Sequence, residues 1–163
     1  MWGNTRMVVL TAVCASLYAA ILIPFKVIPL IPGVTEFRPA NAIPIICSLL
    51  FGPASAWGSG FGNLIGDFFG SMGPGSLFGF LGNFLYGLIP YKVWRALSSR
   101  DPVPRSLSSW VLFTYAVFLA SVACGVTIGW GLNLLGFLPF SVISNIIVTN
   151  NSVVALVLSP LLL

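Results

Sequence analysis

Ten side chains in this 163-residue sequence carry groups suited to holding a polar small molecule. Glu36 and Arg38 stand two residues apart, an acid and a base in one short stretch. Asn63 and Asp67 stand four apart, a spacing that puts an amide and a carboxylate on one helix face. Asn83 and Tyr86 follow at a three-residue step, and Trp130 offers a ring that can stack. Asn145, Asn150 and Asn151 set three amides in an otherwise apolar C-terminal run. These groups bind by hydrogen bonds and charge; they do not make or break bonds. The chain has no histidine and only three carboxylates, Glu36, Asp67 and Asp101, none clustered at metal-ligand spacing. It has no nucleophile beside a base and no GxxxxGK[ST] loop. The residues therefore argue against an enzyme, predict no metal and no cofactor, and put any nucleotide chemistry on another chain. One acid and one base near a common loop permit a zwitterion, an anion or a neutral heterocycle.

The elements that position these groups belong to a membrane. Hydrophobic residues make up 58% of the chain and charged ones 6%, with a mean hydropathy of +1.03. Soluble domains carry about a quarter charged residues, so no water-facing surface can be built from this composition. A helical span needs about 20 apolar residues, and the apolar runs lack the alternation of a barrel strand. The reading is a single all-α transmembrane domain over residues 1–163, a compact bundle of about six helices. Cys14, Cys47 and Cys124 lie singly in apolar runs and read as buried packing residues. The net charge of +4 follows topology and is not a nucleic-acid signal.

The first span is read over Thr5 to Pro24, with no convincing cleavable leader. Small residues recur on it every four positions, at Ala12, Ser16 and Ala20 and again at Ala15 and Ala19. Each set forms a face that admits close helix approach, either to this chain's own helices or to another membrane subunit. Residues 25 to 39, broken by Pro29, Pro32 and Pro39, form a structured loop that serves as a lid or as plain surface. The second span, Ala40 to Phe51, is short and ends at Gly52-Pro53. The third, Pro53 to Phe69, repeats Gly58, Gly62 and Gly66, a close-packing pattern, with Asn63 and Asp67 on the neighbouring face. An aspartate within a span usually faces the bundle interior or a watery cavity. The fourth span is Ser76 to Leu97, closed by Tyr91, Lys92, Trp94 and Arg95. The fifth is Trp110 to Ile128, after which Trp130, Asn133 and Gly136 mark a turn. The last begins at Pro139 and carries Asn150 about 16 Å deep at 1.5 Å per residue, where the Asn150-Asn151-Ser152 sequon is a poor glycosylation site.

Six spans place both chain ends on one side. Arg6, Lys92, Arg95, Arg100 and Arg105 fall on that side, Lys26 and Arg38 on the other. Basic residues stay inside, so both termini are predicted to be cytoplasmic in a multi-pass cell-membrane protein. Glu36, Arg38, Asp67 and the turn near Trp130 then share the outer face, with Asn83 and Asn145 in the outer half. The glycines belong to packing, the charged groups to the outer rim, and Asn63 stands between the two roles.

The phrases EFRPANAIPIICSLLFGPASAWGSGFGNLIGDFFG and GPGSLFGFLGNFLYGLIPYKVWR resemble the substrate-binding S component of energy-coupling-factor (ECF) transporters. The likeness covers most of the chain, including the small-residue first helix and the Asn-Asn of the last. It implies a six-helix bundle that binds a micronutrient, typically a vitamin, at its outer face. The implied partners are a transmembrane T component and two cytoplasmic ATPases, with substrate released inward as the S component topples. By the same resemblance Ala15 and Ala19 are the AxxxA motif facing the T component, and residues 29–38 cap the site. Asn150 or Asn151 matches the polar last-helix position that touches ligand. The chain departs from the pattern at Ser159-Pro160-Leu161-Leu162-Leu163, where many members carry a basic tail; this implies a shortened chain or a bare helix end. The competing reading is a self-contained channel or secondary carrier with Asp67 as its proton or cation site.

Overall fold

The computed structural model describes residues 2–25, 29–31, 35–36, 38–70, 72–98 and 103–163, with residues 29–31 and 35–36 described by backbone alone. Six α-helices carry the architecture: α1 (Thr5–Phe25), α2 (Ala42–Phe51), α3 (Pro53–Asp67), α4 (Gly75–Leu97), α5 (Leu107–Leu134) and α6 (Phe140–Leu162). Between α1 and α2 lie a small antiparallel ribbon, β1 (Pro29–Ile31) and β2 (Thr35–Glu36), and a single 3-10 turn over Pro39–Asn41. α1, α5 and α6 are each long and apolar enough to cross a membrane.

Local chemistry accounts for where the helices begin and end. Asn4 starts α1 by accepting from the Arg6 backbone N–H at 3.0 Å. Ser106 and Ser109 form a reciprocal capping box at the start of α5, which satisfies donors the first helical turn otherwise leaves open. Between α2 and α3 the chain turns at Gly52, whose φ of 61° favours glycine, and Pro53 opens the next helix. α5 runs on to Leu134, past the end at Ile128 expected from sequence, so Trp130 and Asn133 are helical and not in a turn. Nothing stops the helix before Gly136, which has a φ of 74°. There the Gly136 N–H meets Asn133 O and the Phe137 N–H meets Leu132 O, both at 3.0 Å. This is a Schellman close, and it brings Phe137 back toward Leu132.

Glycines set the packing. A methyl group at Gly58 would strike Cys14 Cβ, and one at Gly62 would lie 2.9 Å from the Ala15 carbonyl oxygen. α3 therefore lies directly on α1, as the four-residue glycine spacing predicts. Low numbers on α1 meet low numbers on α3, so the two run parallel. On α4, Gly87 meets Ser55 and Ser59 while Gly79 meets Asn63, an antiparallel register. Gly82 on α4 packs on Cys124 and Ile128 of α5, and Gly125 and Gly129 on α5 pack on Ser144 of α6, both antiparallel. α2 fits between, its Ser48 hydroxyl donating to Gly87 O on α4 at 2.7 Å. The six helices thus alternate in direction. The core joins Ile45, Tyr86, Phe113, Val117, Ile143 and Ala155, with a second cluster of Tyr18, Leu22 and Ala40. Outward lie Val9, Leu17, Val111, Phe118, Val153 and Val157, a surface suited to lipid.

Candidate functional site

A cavity of about 360 Å³ opens at the end of the bundle where α3 and α5 finish and α4 and α6 start. Its polar lining comes from four separate elements. Asp67 is the last residue of α3 and Asn63 lies one turn before it, both buried. Arg38, just ahead of the 3-10 turn, donates from Nη1 to Asn63 Oδ1 at 3.0 Å, and Asn63 Nδ2 donates to Asp67 Oδ2 at 3.2 Å. Asn63 thereby shows its oxygen to a cation and its nitrogen to a carboxylate, the matched orientation for an amide between two charges. α4 approaches this pair through Gly79, where a methyl group would sit 2.8 Å from Asn63 Nδ2 and 3.6 Å from Asp67 Oδ2. The absence of a side chain at residue 79 leaves room for the pair.

One turn further along α4, Asn83 donates from Nδ2 to Gly79 O at 2.8 Å. Its other end lies 3.0 Å from the Tyr18 hydroxyl of α1, which is also 2.9 Å from the side-chain amide of Asn41. The amides of Asn41 and Asn151 meet at 2.6 Å. Asn151 and the less buried Asn150 bring α6 to the cavity. A buried polar chain of this kind persists only when its members find partners. Here it ties α1, the 3-10 turn, α4 and α6 around one space. Apart from Ser76 at the start of α4, the side chains of the remaining wall are apolar: Cys124, Ile128 and Leu132 from successive turns of α5, Ile147 from α6, and Met72 and Phe137 near the mouth. A compact ligand with polar edges and an apolar face fits this division.

Six of the ten residues singled out in the sequence share the cavity lining: Arg38, Asn63, Asp67, Asn83, Asn150 and Asn151. Tyr86 is not in the lining. It is fully buried, and its hydroxyl donates to the backbone oxygen of Asn151 at 3.2 Å, bracing α6 against α4. Asn145 is a correction. It is exposed, and Nδ2 returns to Ser141 O at 2.8 Å. Five residues from Asn150, at about 100° per residue, turn it well away from the cavity face. Trp130 is a second correction, because it stands two residues from both Ile128 and Leu132 and so faces the other way. It is 55% exposed and packs edge-on to Phe78 with ring centroids 6.0 Å apart. Glu36 lies in β2 opposite Pro29, and its side chain is outside the described residues.

The small-residue faces of α1 also separate. Ala15 and Ala19 are buried within the chain, and the Ala15 backbone meets Gly58 and Gly62. The outward placement implied for them by the family resemblance is therefore corrected: that face packs on α3. Ala12 and Ser16 are exposed on the other side of α1. Sequence reasoning missed Tyr18, Asn41, Gly79 and Phe137. Asn41 stands only three residues beyond Arg38, which was a usable signal. Tyr18 sat in an apolar span with nothing to mark it. Among the described residues no three of His, Cys, Asp and Glu gather as metal ligands.

A family model described as the QueT transporter matches residues 8–163. No curated protein and no solved structure matches the chain.

Proposed function

This chain belongs to the QueT transporter family, whose members are S components of ECF transporters, and on that footing we propose that its cavity captures a queuosine precursor from outside the cell. The observation that carries the reading is the convergence of Arg38, Asn63, Asp67, Asn83 and Asn151 on one cavity with an apolar wall. A planar, nitrogen-rich base offers edges for the amides and the carboxylate and a face for Ile128, Leu132 and Phe137.

In this proposal all six helices cross the cytoplasmic membrane, supported by their alternating direction and apolar exterior. Both termini are cytoplasmic. Arg6, Lys92, Arg95 and Arg105 lie at the end away from the cavity and Arg38 at the cavity end, the distribution expected if the cavity opens outward. The chain binds but does not energise uptake. A T component and two ATPases, bound from the membrane and the cytoplasm, drive release inward. The exposed Ala12 and Ser16 face of α1 is the surface we assign to the T component, because small side chains let a second helix approach closely.

The test is reconstitution. The purified chain should bind the queuosine-precursor base saturably by itself. Liposomes holding the chain alone should accumulate none, with uptake appearing when partners and ATP are supplied. Ion-gradient-driven flux through the chain alone, lost in Asp67→Asn, would show a self-contained carrier instead.

A further inference from the structure

An unbroken α-helix bonds each N–H to the carbonyl four residues back, and α4 departs from this at two successive positions. Pro90, inside the helix, has no N–H to give the Tyr86 carbonyl. At the next position the hydroxyl of Ser48, from α2, stands between the two partners. It accepts from the Tyr91 N–H at 2.8 Å and donates to the Gly87 carbonyl at 2.7 Å. A proline and a side chain set into the ladder are both usual causes of a bend in a helix. On one side of this break, Gly79 and Asn83 wall the cavity. On the other, Lys92 and Arg95 are exposed at the opposite end of the bundle. The clasp comes from the helix whose lead-in reaches the cavity. The 3-10 turn that runs into α2 carries Asn41, bonded to Asn151 of α6 at 2.6 Å, and Arg38 of the cavity lining stands immediately before that turn. At the far end of α2, Gly52 lies against the Tyr91 ring, where a methyl group would come within 3.0 Å.

We infer that Ser48 is a positioning residue: it clasps a hinge in α4, and filling the cavity displaces α2, releases the clasp and re-aims the far end of α4. The inference rests on reading the cavity as the substrate site and adds a route by which its occupancy reaches the opposite end of the bundle. α2 is only ten residues long and moves as one piece, so a ligand that engages Arg38 moves Ser48 too. Both contacts of the hydroxyl already have near-ideal lengths, so a shift of α2 loosens them. The Tyr91 N–H and the Gly87 carbonyl then bond each other, as in an unbroken helix. The clasped arrangement has two hydrogen bonds where the released one has one. That difference is small enough for unequal ligand affinity to reverse.

Two measurements test this, and they fail separately. Spin labels at Leu97, exposed at the end of α4, and at Val9 of α1 read the hinge. Leu97 lies about 9 Å past Tyr91 along the helix, so a swing of about 20° carries it about 3 Å. In ligand-free protein, Ser48→Ala should change the Leu97–Val9 separation by about that amount, while labels at Leu81 and Leu17 keep theirs. Adding the queuosine-precursor base to wild type should produce the same change, and adding it to Ser48→Ala no further one. Because the variant is already released, it should bind the base about threefold or more tighter than wild type. A serine that only braces the fold would leave the variant binding equally or more weakly. That result overturns the inference, as does an unmoved Leu97 in ligand-free Ser48→Ala or in wild type with the base bound. Should Ser48→Ala not fold, Pro90→Ala restores the missing N–H, favours the straight helix and carries the same two expectations. Wild type that binds no precursor overturns the substrate assignment, while the ligand-free separations still decide the hinge.

Discussion

Arg38 and Asn63 meet through one hydrogen bond, Nη1 to Oδ1 at 3.0 Å, which joins the segment before the 3-10 turn to the last stretch of α3. Asn63 passes the contact on to Asp67. A cation and a carboxylate from different parts of the chain are thus held to one amide at the cavity. Asn63→Leu keeps the bulk and removes both bonds. A buried group left unmatched costs about 1–3 kcal/mol, so the variant should bind substrate at least about tenfold more weakly and unfold at lower temperature. Isothermal titration beside a thermal melt reads both, and unchanged affinity would place Asn63 in the scaffold alone.

Asp67→Asn removes a charge with almost no change in shape. In the proposed site it weakens binding sharply while the helices stay packed, since asparagine fills nearly the same space beside Gly79 of α4. Binding by the purified variant checks this, with circular dichroism confirming the helices. Wild-type affinity in Asp67→Asn would remove the carboxylate from the substrate site.

Two glycine substitutions separate the site from the scaffold. The methyl group of Gly79→Ala would lie 2.8 Å from Asn63 Nδ2, so the Asn63 and Asp67 pair must shift and affinity should fall. Gly62→Ala puts its methyl group 2.9 Å from the Ala15 backbone oxygen, which only a separation of α1 from α3 can relieve. Overpacking of that kind costs about 1–3 kcal/mol, so Gly62→Ala should lose stability first. Equal melting-temperature losses in the two variants would contradict the division.

The two faces of α1 give a fourth contrast. Ala15→Leu forces a large side chain into the α1–α3 contact and should lower yield and melting temperature. Ala12→Leu points outward, so the isolated chain should fold and bind substrate normally. Its predicted defect is in co-purification with the T component. Intact complex formation by Ala12→Leu together with Ser16→Leu would show that this face meets lipid only.

Much of the site was legible along single helices. Asn63 and Asp67 share a face because four residues make about one helical turn, and both line the cavity. The glycine step of α3 marked a close helix contact, and Gly58 and Gly62 make one. Sequence could not say which face of α1 or α6 turns inward. Ala15 was not separable from Ser16, nor Asn145 from Asn150, until the rotation of each helix about its axis was known.

Composition alone determined that the chain belongs in a membrane: with 6% charged residues it cannot cover itself for water. Spacing determined which residues lie together on one helix, and glycine and proline marked the break at Gly52–Pro53. Tertiary structure decided which faces meet, and so placed Tyr18 and Asn41 behind the cavity and Trp130 outside it. The physical reason is that lipid is as apolar as a helix interface. An apolar stripe that would mark the inward face of a helix in water marks nothing in a membrane. Only packing and the matching of buried hydrogen bonds select the rotation, and both depend on residues far apart in the chain: Tyr18 with Asn83, and Asn41 with Asn151.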